Sequence, residues 1–257
     1  MPASIAVQLY TLRDSIGADP GPAFDRLGAK GFAGVESASL YGLDPKQYAK
    51  ALDNAGLVLC SAHIHPDTRD PAWLEKWTAD LDAHLVAGTQ SVVIPMLLPK
   101  HFADIDAVQR SADVLNAANE VAKSRAVPLG YHNHFWEFGD VNGAPALSHF
   151  FDRCDPEVFA EIDIYWAAVG GVDPVSFVSD LGSRAQMLHV KDGPADSPES
   201  DMVAVGSGAI ATREVIESNE NVEWHVIELD RCATDMFDAV EASYDFLVGT
   251  GLSQGRS

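Results

Sequence analysis

Between Tyr131 and Phe138 the chain places two histidines and a glutamate within six residues, in the run Tyr131-His132-Asn133-His134-Phe135-Trp136-Glu137-Phe138. It follows the apolar stretch Ala126-Val127-Pro128-Leu129-Gly130, so these groups arrive where a short buried strand runs out. Unpaired, they are costly to bury. Residues two apart on a strand share a face, which sends His132 and His134 the same way with Glu137 in the adjoining turn. The pattern suits half of a metal site, and equally a pair of packed, hydrogen-bonded histidines beside a loop carboxylate.

Other strand ends carry matching groups: Gln8 and Tyr10, Glu36, His63 and His65, Glu161 and Asp163, His189 with Lys191 and Asp192, and Glu228 with Asp230. Glu137, Asp163, His189 and Glu228 make a carboxylate-rich set with one imidazole, each from a different strand. Such a set favours Mn²⁺, with Mg²⁺, Co²⁺, Fe²⁺ and Zn²⁺ as competitors. Three carboxylates against a divalent ion leave one excess negative charge, which Lys191, on the same strand face as His189, offsets. Without a metal, Asp163 would be a helix cap and Lys191 a surface charge.

The elements that must position these groups alternate along the whole chain. Strand candidates are Ile5 to Leu9, Gly34 to Glu36, Val58 to His63, Ser91 to Pro95, Val127 to His132, Phe159 to Asp163, Gln186 to Val190 and Glu223 to Glu228. Most are too continuously apolar to have a wet face, the mark of a parallel sheet covered by helices. Amphipathic stretches follow each strand, and Gly31, Gly56 and Gly88 end three of them as C-terminal caps. Eight such units are the size of a closed (β/α)8 TIM barrel, an α/β fold whose catalytic groups sit at the C-terminal strand ends. An open doubly wound sheet would place a glycine turn after its first strand, whereas Thr11-Leu12-Arg13-Asp14 stands there.

Composition narrows the function classes. The 257 residues are 47% hydrophobic without a linker or low-complexity tract, which points to a single domain over residues 1–257. The formal net charge of −21, from 38 acidic and 17 basic residues, repels a phosphate backbone and makes nucleic acid an unsuitable partner. The start of the chain has neither a basic segment nor a long apolar stretch, so a soluble cytoplasmic protein without a membrane partner is expected. Cys60, Cys154 and Cys232 lack CxxC spacing and read as thiols in a reducing compartment.

In order, Gln8-Leu9-Tyr10, Tyr131-His132-Asn133-His134, Glu161-Ile162-Asp163, His189-Val190-Lys191-Asp192-Gly193, Val205-Gly206-Ser207-Gly208-Ala209-Ile210 and Val226-Ile227-Glu228-Leu229-Asp230 span nearly the whole chain. Together they resemble the sugar isomerase/epimerase superfamily of xylose-isomerase-like barrels. The resemblance implies a divalent metal held by Glu137, Asp163, His189 and Glu228, and carboxylates on the fifth and eighth strands as acid and base. It implies removal of a proton alpha to a carbonyl of a sugar or keto-sugar, with Glu228 or His134 as base and Lys191 and His65 as donors to substrate oxygens. His63, His132, Trp166, Glu36 and Asp230 are the remaining expected substrate contacts. Reprotonation gives isomerisation or epimerisation; expulsion of a beta substituent gives a lyase acting on keto-sugars or 3-keto-C-glycosides.

Two departures bear on the mechanism. Epimerases of this group usually carry a glutamate within the fifth strand, where this chain has Tyr131-His132-Asn133-His134, and often a histidine where it has Trp166. Both departures are similar to the sequences near inosose dehydratase and the C-glycoside-cleaving barrel subunits. The competing reading is a barrel that binds sugar without catalysis as part of a homo- or hetero-oligomer, whereas the DNA-repair endonuclease branch conflicts with the acidic charge. Val205-Gly206-Ser207-Gly208 could cradle a phosphate or form a tight turn, the turn being preferred. Trp136, Tyr165 and Trp166 suit stacking on a sugar face.

Overall fold

The computed structural model describes residues 2–17 and 19–256. Eight parallel strands, here β1 to β8, are Ala3–Gln8, Gly34–Ser37, Val58–His63, Val92–Ile94, Leu129–His132, Phe159–Asp163, Ala185–Val190 and Trp224–Ile227. Each pairs with the next in chain order, and β8 closes on β1 in the register Ser4 with Trp224 through Val7 with Ile227. Closure leaves the eight strands with no free barrel edge. Ser253–Gln254 adds a short parallel pairing to the start of β1.

The outer helices are Gly21–Lys30, Pro45–Ala55, Trp73–Val86, Ile105–Ser124, Ala146–Arg153, Pro174–Leu181, Thr212–Glu217 and Met236–Gly249. Part of the acidic excess has a local use, because Asp44, Asp104, Asp173 and Asp235 cap four of these helices through their carboxylates. Each such cap satisfies amides that would otherwise lack partners, typically worth ~1 kcal/mol. Gly31 and Gly56 end their helices in the left-handed conformation expected of them.

The core is in two parts. The larger lies between the strands and the helices, while Ala6, Cys60, Val93, Phe159, Met187 and Val226 form a separate apolar cluster inside the barrel. Gly130 makes room for this floor: a Cβ there would lie 2.4 Å from the Phe159 ring. Above it the interior turns polar. A register shift between β2 and β3, where Val35 pairs with Leu59 but Glu36 with Ser61, leaves Cys60 as a bulge and turns Ser61 and His63 inward. Cys60, Cys154 and Cys232 are free, the first two buried. Among the described residues, no helix is long and apolar enough to cross a membrane.

Candidate metal centre and cleft

The polar layer is built from residues on six strands. Glu36, at the end of β2, accepts from Gln8 Nε2 at 2.6 Å and from the Ser61 hydroxyl. Its Oε1 lies 2.7 Å from His189 Nε2, while His189 Nδ1 lies 2.8 Å from Glu228 Oε2. Glu161 lies on the other side of the layer, its Oε2 2.7 Å from His63 Nε2, 3.3 Å from His189 Nε2 and 3.5 Å from His132 Nδ1. All of these side chains are buried or nearly so.

Nearer the mouth, Lys191 Nζ meets three carboxylates: Asp163 at 2.9 Å, Glu228 at 2.7 Å and Asp230 at 2.7 Å. Asp163 does two jobs at once. Its Oδ1 caps the helix Ile164–Val169 by accepting from Trp166 N at 2.8 Å, while Oδ2 faces Lys191. The helix-cap and site readings of Asp163 therefore hold together, and Lys191, 1% exposed, is no surface charge.

Electrostatics follow from this packing. Burial lowers the His63 pKa, but Glu36 and Glu161 outweigh it and raise it to about 9. His189 is likewise raised against its burial by Glu161, Glu36 and Glu228. Lys191 is held well above its ordinary value by Asp163, Asp230 and Glu228, again against burial. Glu228 is pulled well below the usual carboxylate range, as Lys191 and His189 outweigh its desolvation. Asp163, more dominated by desolvation, rises to about 6. His132 and His134 go the other way: burial, assisted by neighbouring cationic groups, lowers both, His134 to about 3.

Among the described residues, two groups could hold a metal ion: His63, His132, Glu161 and His189, and His132, Asp163, His189 and Glu228, with ligand atoms within 4.8 Å of one another in each. The second fits better. Glu36 sits behind His189 Nε2, the carboxylate-behind-imidazole arrangement that orients a ligating histidine, and leaves Nδ1 on the Glu228 side. His132 Nδ1, on a member of this group, is buried without a hydrogen-bond partner. The carboxylates Glu36, Glu161, Asp163, Glu228 and Asp230 outnumber the cationic Lys191 and His63 around this quartet, a surplus of negative charge that a divalent cation would reduce.

Glu137, expected as the fourth ligand, is not brought into either group. Its Oε1 accepts from the Tyr131 hydroxyl at 2.9 Å and its Oε2 from His134 N at 3.0 Å. Fully buried there, it is pushed up to about 8 by desolvation. His132 stands in its place beside Asp163, His189 and Glu228. Glu161, visible as a strand-end carboxylate but given no role, proves to be a central member of the layer; its spacing of two from Asp163 was the signal, since both must point inward.

Of the remaining expected contacts, His63, His65, His132, His134 and Asp230 border a cavity of about 240 Å³ at the barrel mouth together with Tyr10 and Glu228, whereas Glu36, Lys191 and Trp166 do not line it. His134 stacks on Trp136, ring centroids 4.4 Å apart, with Trp166 beyond at 6.2 Å. Trp166 is buried, and Lys191 Nζ lies 5.1 Å from its ring. The Val205–Gly208 segment is a turn whose amides are already taken: Gly206 N, Gly208 N and Ile210 N all donate to the Asp192 carboxylate. It has no free cradle for phosphate.

The family model described as the xylose isomerase-like TIM barrel matches residues 24–224. A sugar phosphate isomerase/epimerase structure from Parabacteroides distasonis ATCC 8503 is similar at 25% identity, with a TM-score of 0.86, covering 99% of this chain and 96% of that one. A second structure of that description from the same organism matches at 23% identity and TM-score 0.83, covering 98% and 100%. An IOLI protein with a bound zinc atom shares the fold at 12% identity and TM-score 0.75, covering 96% and 97%. No curated protein sequence matches the chain.

Proposed function

Because the chain belongs to the xylose isomerase-like TIM barrel family, we propose that it is a divalent-metal-dependent isomerase or epimerase of a sugar or keto-sugar, acting by proton removal alpha to a carbonyl. The observation that carries this reading is the quartet His132, Asp163, His189 and Glu228, of which His132 and Glu228 line the cavity, each imidazole with a carboxylate nearby. Two nitrogen and two oxygen donors suit Mn²⁺, Fe²⁺, Co²⁺ or Zn²⁺ better than Mg²⁺. An ion held there would supply a Lewis acid for the substrate's oxygens and stabilise the negative charge that develops as the proton leaves.

The chain's own groups do the rest. Glu228, kept ionised by Lys191 and His189, is positioned at the cavity to accept the proton from the substrate carbon. Lys191 supplies a fixed positive charge beside it, and His65 lines the same cavity as a donor to a substrate hydroxyl. The Trp136 and Trp166 rings, near-parallel to the His134 imidazole, shield it from water. Reprotonation at the neighbouring carbon gives isomerisation, and from the opposite face epimerisation.

A second reading, elimination of a beta substituent, is favoured by one observation: β5 presents imidazoles where a second catalytic carboxylate would be needed, and Glu137 is withdrawn. His134 then serves as the base. Metal analysis of the purified protein, joined to solvent deuterium wash-in with a panel of keto-sugars and 3-ketoglycosides, tests both readings. Metal-dependent exchange without elimination supports the first; exchange that is indifferent to chelation would end it.

A further inference from the structure

The cavity beside the metal quartet continues past the barrel mouth. It adjoins a second hollow of about 310 Å³ between the loops that follow β3 and β4, and His65 and Met96 line both. The two lobes differ in charge. Glu228 and Asp230 line the inner one, whereas the outer one sets Arg69 and Lys100 against a single carboxylate, Asp67. The outer lining therefore keeps one net positive charge, in a chain where 38 acidic residues face 17 basic ones.

Asp67 and Arg69 neutralise each other, Arg69 Nε donating to Asp67 Oδ1 at 2.7 Å and Nη2 to Oδ2 at 3.2 Å. The charge left over is Lys100, exposed and with no carboxylate within 4.0 Å among the described residues. Three polar side chains share its hollow: Thr68 from the β3 loop, His101 next in sequence, and His65 where the lobes meet. Burial lowers both imidazoles, so each keeps a neutral ring with one N–H to donate. The rest of the wall is Pro66, Met96, Leu97 and Leu98, an apolar side that lowers the local dielectric and strengthens the pull of Lys100 on an anion.

The frame around these donors is held in place. Leu97 N donates to the Tyr131 hydroxyl and Leu97 O accepts from Trp136 Nε1, both at 3.1 Å. The Ser111 hydroxyl donates to His101 O at 2.9 Å, which ties the turn Pro99–Phe102 to the helix Ile105–Ser124. A frame fixed before binding loses little entropy when a ligand arrives. One free cation with a hydroxyl and two neutral imidazoles matches one negative charge. A carboxylate carries that charge, whereas a phosphate carries about −1.5 to −2 at neutral pH and would leave a surplus in an already acidic protein. Glu228 and Asp230 repel a carboxylate from the inner lobe, so the charge sets which end of a ligand faces outward.

Resting on the reading that the inner lobe holds a keto-sugar, we propose that the outer lobe binds a carboxylate at the far end of that sugar. The substrate is then a keto-sugar acid, its carboxylate on Lys100 and its carbonyl end toward the quartet. Binding alone reads the preference, without turnover. The probes are fructose, fructuronate and fructose 6-phosphate, which share a ketone with an adjacent C–H and differ only at the terminal carbon remote from it. Each is titrated calorimetrically into the metal-loaded wild type, Lys100→Ala and Lys100→Arg, changes at an exposed site that spare the core. Fructuronate should bind roughly tenfold tighter than fructose, Lys100→Ala should remove that advantage with fructose affinity kept within about twofold, and Lys100→Arg should restore most of it. Equal affinities, no binding of fructuronate, or an advantage that survives Lys100→Ala overturns the proposal, the last by placing the carboxylate on the metal. Tightest binding of fructose 6-phosphate, lost in Lys100→Ala, overturns it in favour of a phosphate subsite. The reading beneath it fails separately. Lys100-dependent binding of fructuronate without metal-dependent deuterium exchange leaves the subsite standing and sinks the isomerase reading, whereas metal-dependent exchange with equal affinity for fructose and fructuronate sinks the subsite alone.

Discussion

The Asn133 carboxamide grips the Asp163 backbone from both sides, its Oδ1 accepting from Asp163 N at 3.0 Å and its Nδ2 donating to Asp163 O at 3.3 Å. The pair joins the ends of β5 and β6 just past their ladder, which stops at His132 and Glu161. Asn133→Ala leaves two buried backbone groups without partners, so a loss of roughly 2 to 4 kcal/mol is expected in urea unfolding. Because Asp163 is also a quartet member, metal affinity should fall in the same variant. A variant with wild-type stability and affinity would show that the clasp is incidental.

The quartet makes a second expectation specific. His132→Ala should lower bound metal to a small fraction of one equivalent, whereas Glu137→Gln should keep the metal, since that carboxylate is occupied by Tyr131 and His134 N. Equilibrium dialysis with Mn²⁺ and with Zn²⁺ reads both, and far-UV circular dichroism checks the fold. Metal lost from Glu137→Gln and retained in His132→Ala would restore Glu137 to the ligand set.

Asp192 gives a third. Its carboxylate accepts from four amides: Gly193, Gly206, Gly208 and Ile210. Asp192→Ala should release these amides and destabilise the protein by about 2 to 3 kcal/mol, with faster hydrogen exchange confined to residues 193–210. Protection that persists there would show that the turn holds its own shape.

A fourth concerns pH and stability. His225 is buried beside Ser253, and desolvation lowers its pKa to about 4. The unfolded chain takes up the proton near pH 6.5 and the folded protein only near 4, so the unfolded state binds more protons in between. Stability is thus full above about pH 6.5 and is lost as pH falls toward 4, at about 1.4 kcal/mol per unit, or roughly 2 kcal/mol by pH 5. His132 and His134, lowered by burial, act in the same direction and the raised His63 and His189 in the opposite one, so the difference between wild type and His225→Asn isolates this residue. Equal slopes of unfolding free energy against pH in the two proteins would refute it.

The barrel was legible because both strand faces are covered, which makes strands short, continuous and apolar, and because a cap or turn residue marks each boundary. All eight strands lie where periodicity put them, within about two residues. The site was legible at the level of which strand ends carry polar groups, since Asp163, His189 and Glu228 do converge. What sequence could not give is what each side chain does with its remaining lone pairs. Glu137 lies within a 3-10 turn, Trp136–Phe138, that carries it back onto Tyr131, and no pattern in the sequence encodes that return. Nor does any signal mark the Cys60 bulge that turns Ser61 and His63 into the barrel. Glu161 was readable from its spacing, but its pairing with His63 depends on residues 98 positions apart.

The last prediction separates the two readings of the chemistry at His134. Its ring stacks on Trp136, its backbone is held by Glu137, and the residue lines the cavity at the barrel mouth. If Glu228 takes the proton alone, His134→Asn should weaken substrate binding and leave deuterium wash-in at the alpha carbon within roughly tenfold of wild type. If His134 is the base, the same substitution should cost ~10² to 10⁴ in rate, the usual contribution of a positioned acid or base. A base must be neutral, and with burial lowering His134 to about 3 the histidine mechanism loses rate only as pH falls toward 3, a limb that the asparagine variant should lack. Wash-in to a keto-sugar and to a 3-ketoglycoside, followed for both proteins from about pH 3 to 9, decides the matter. A profile of unchanged shape and a rate within tenfold would remove His134 as the base and leave Glu228 with the proton.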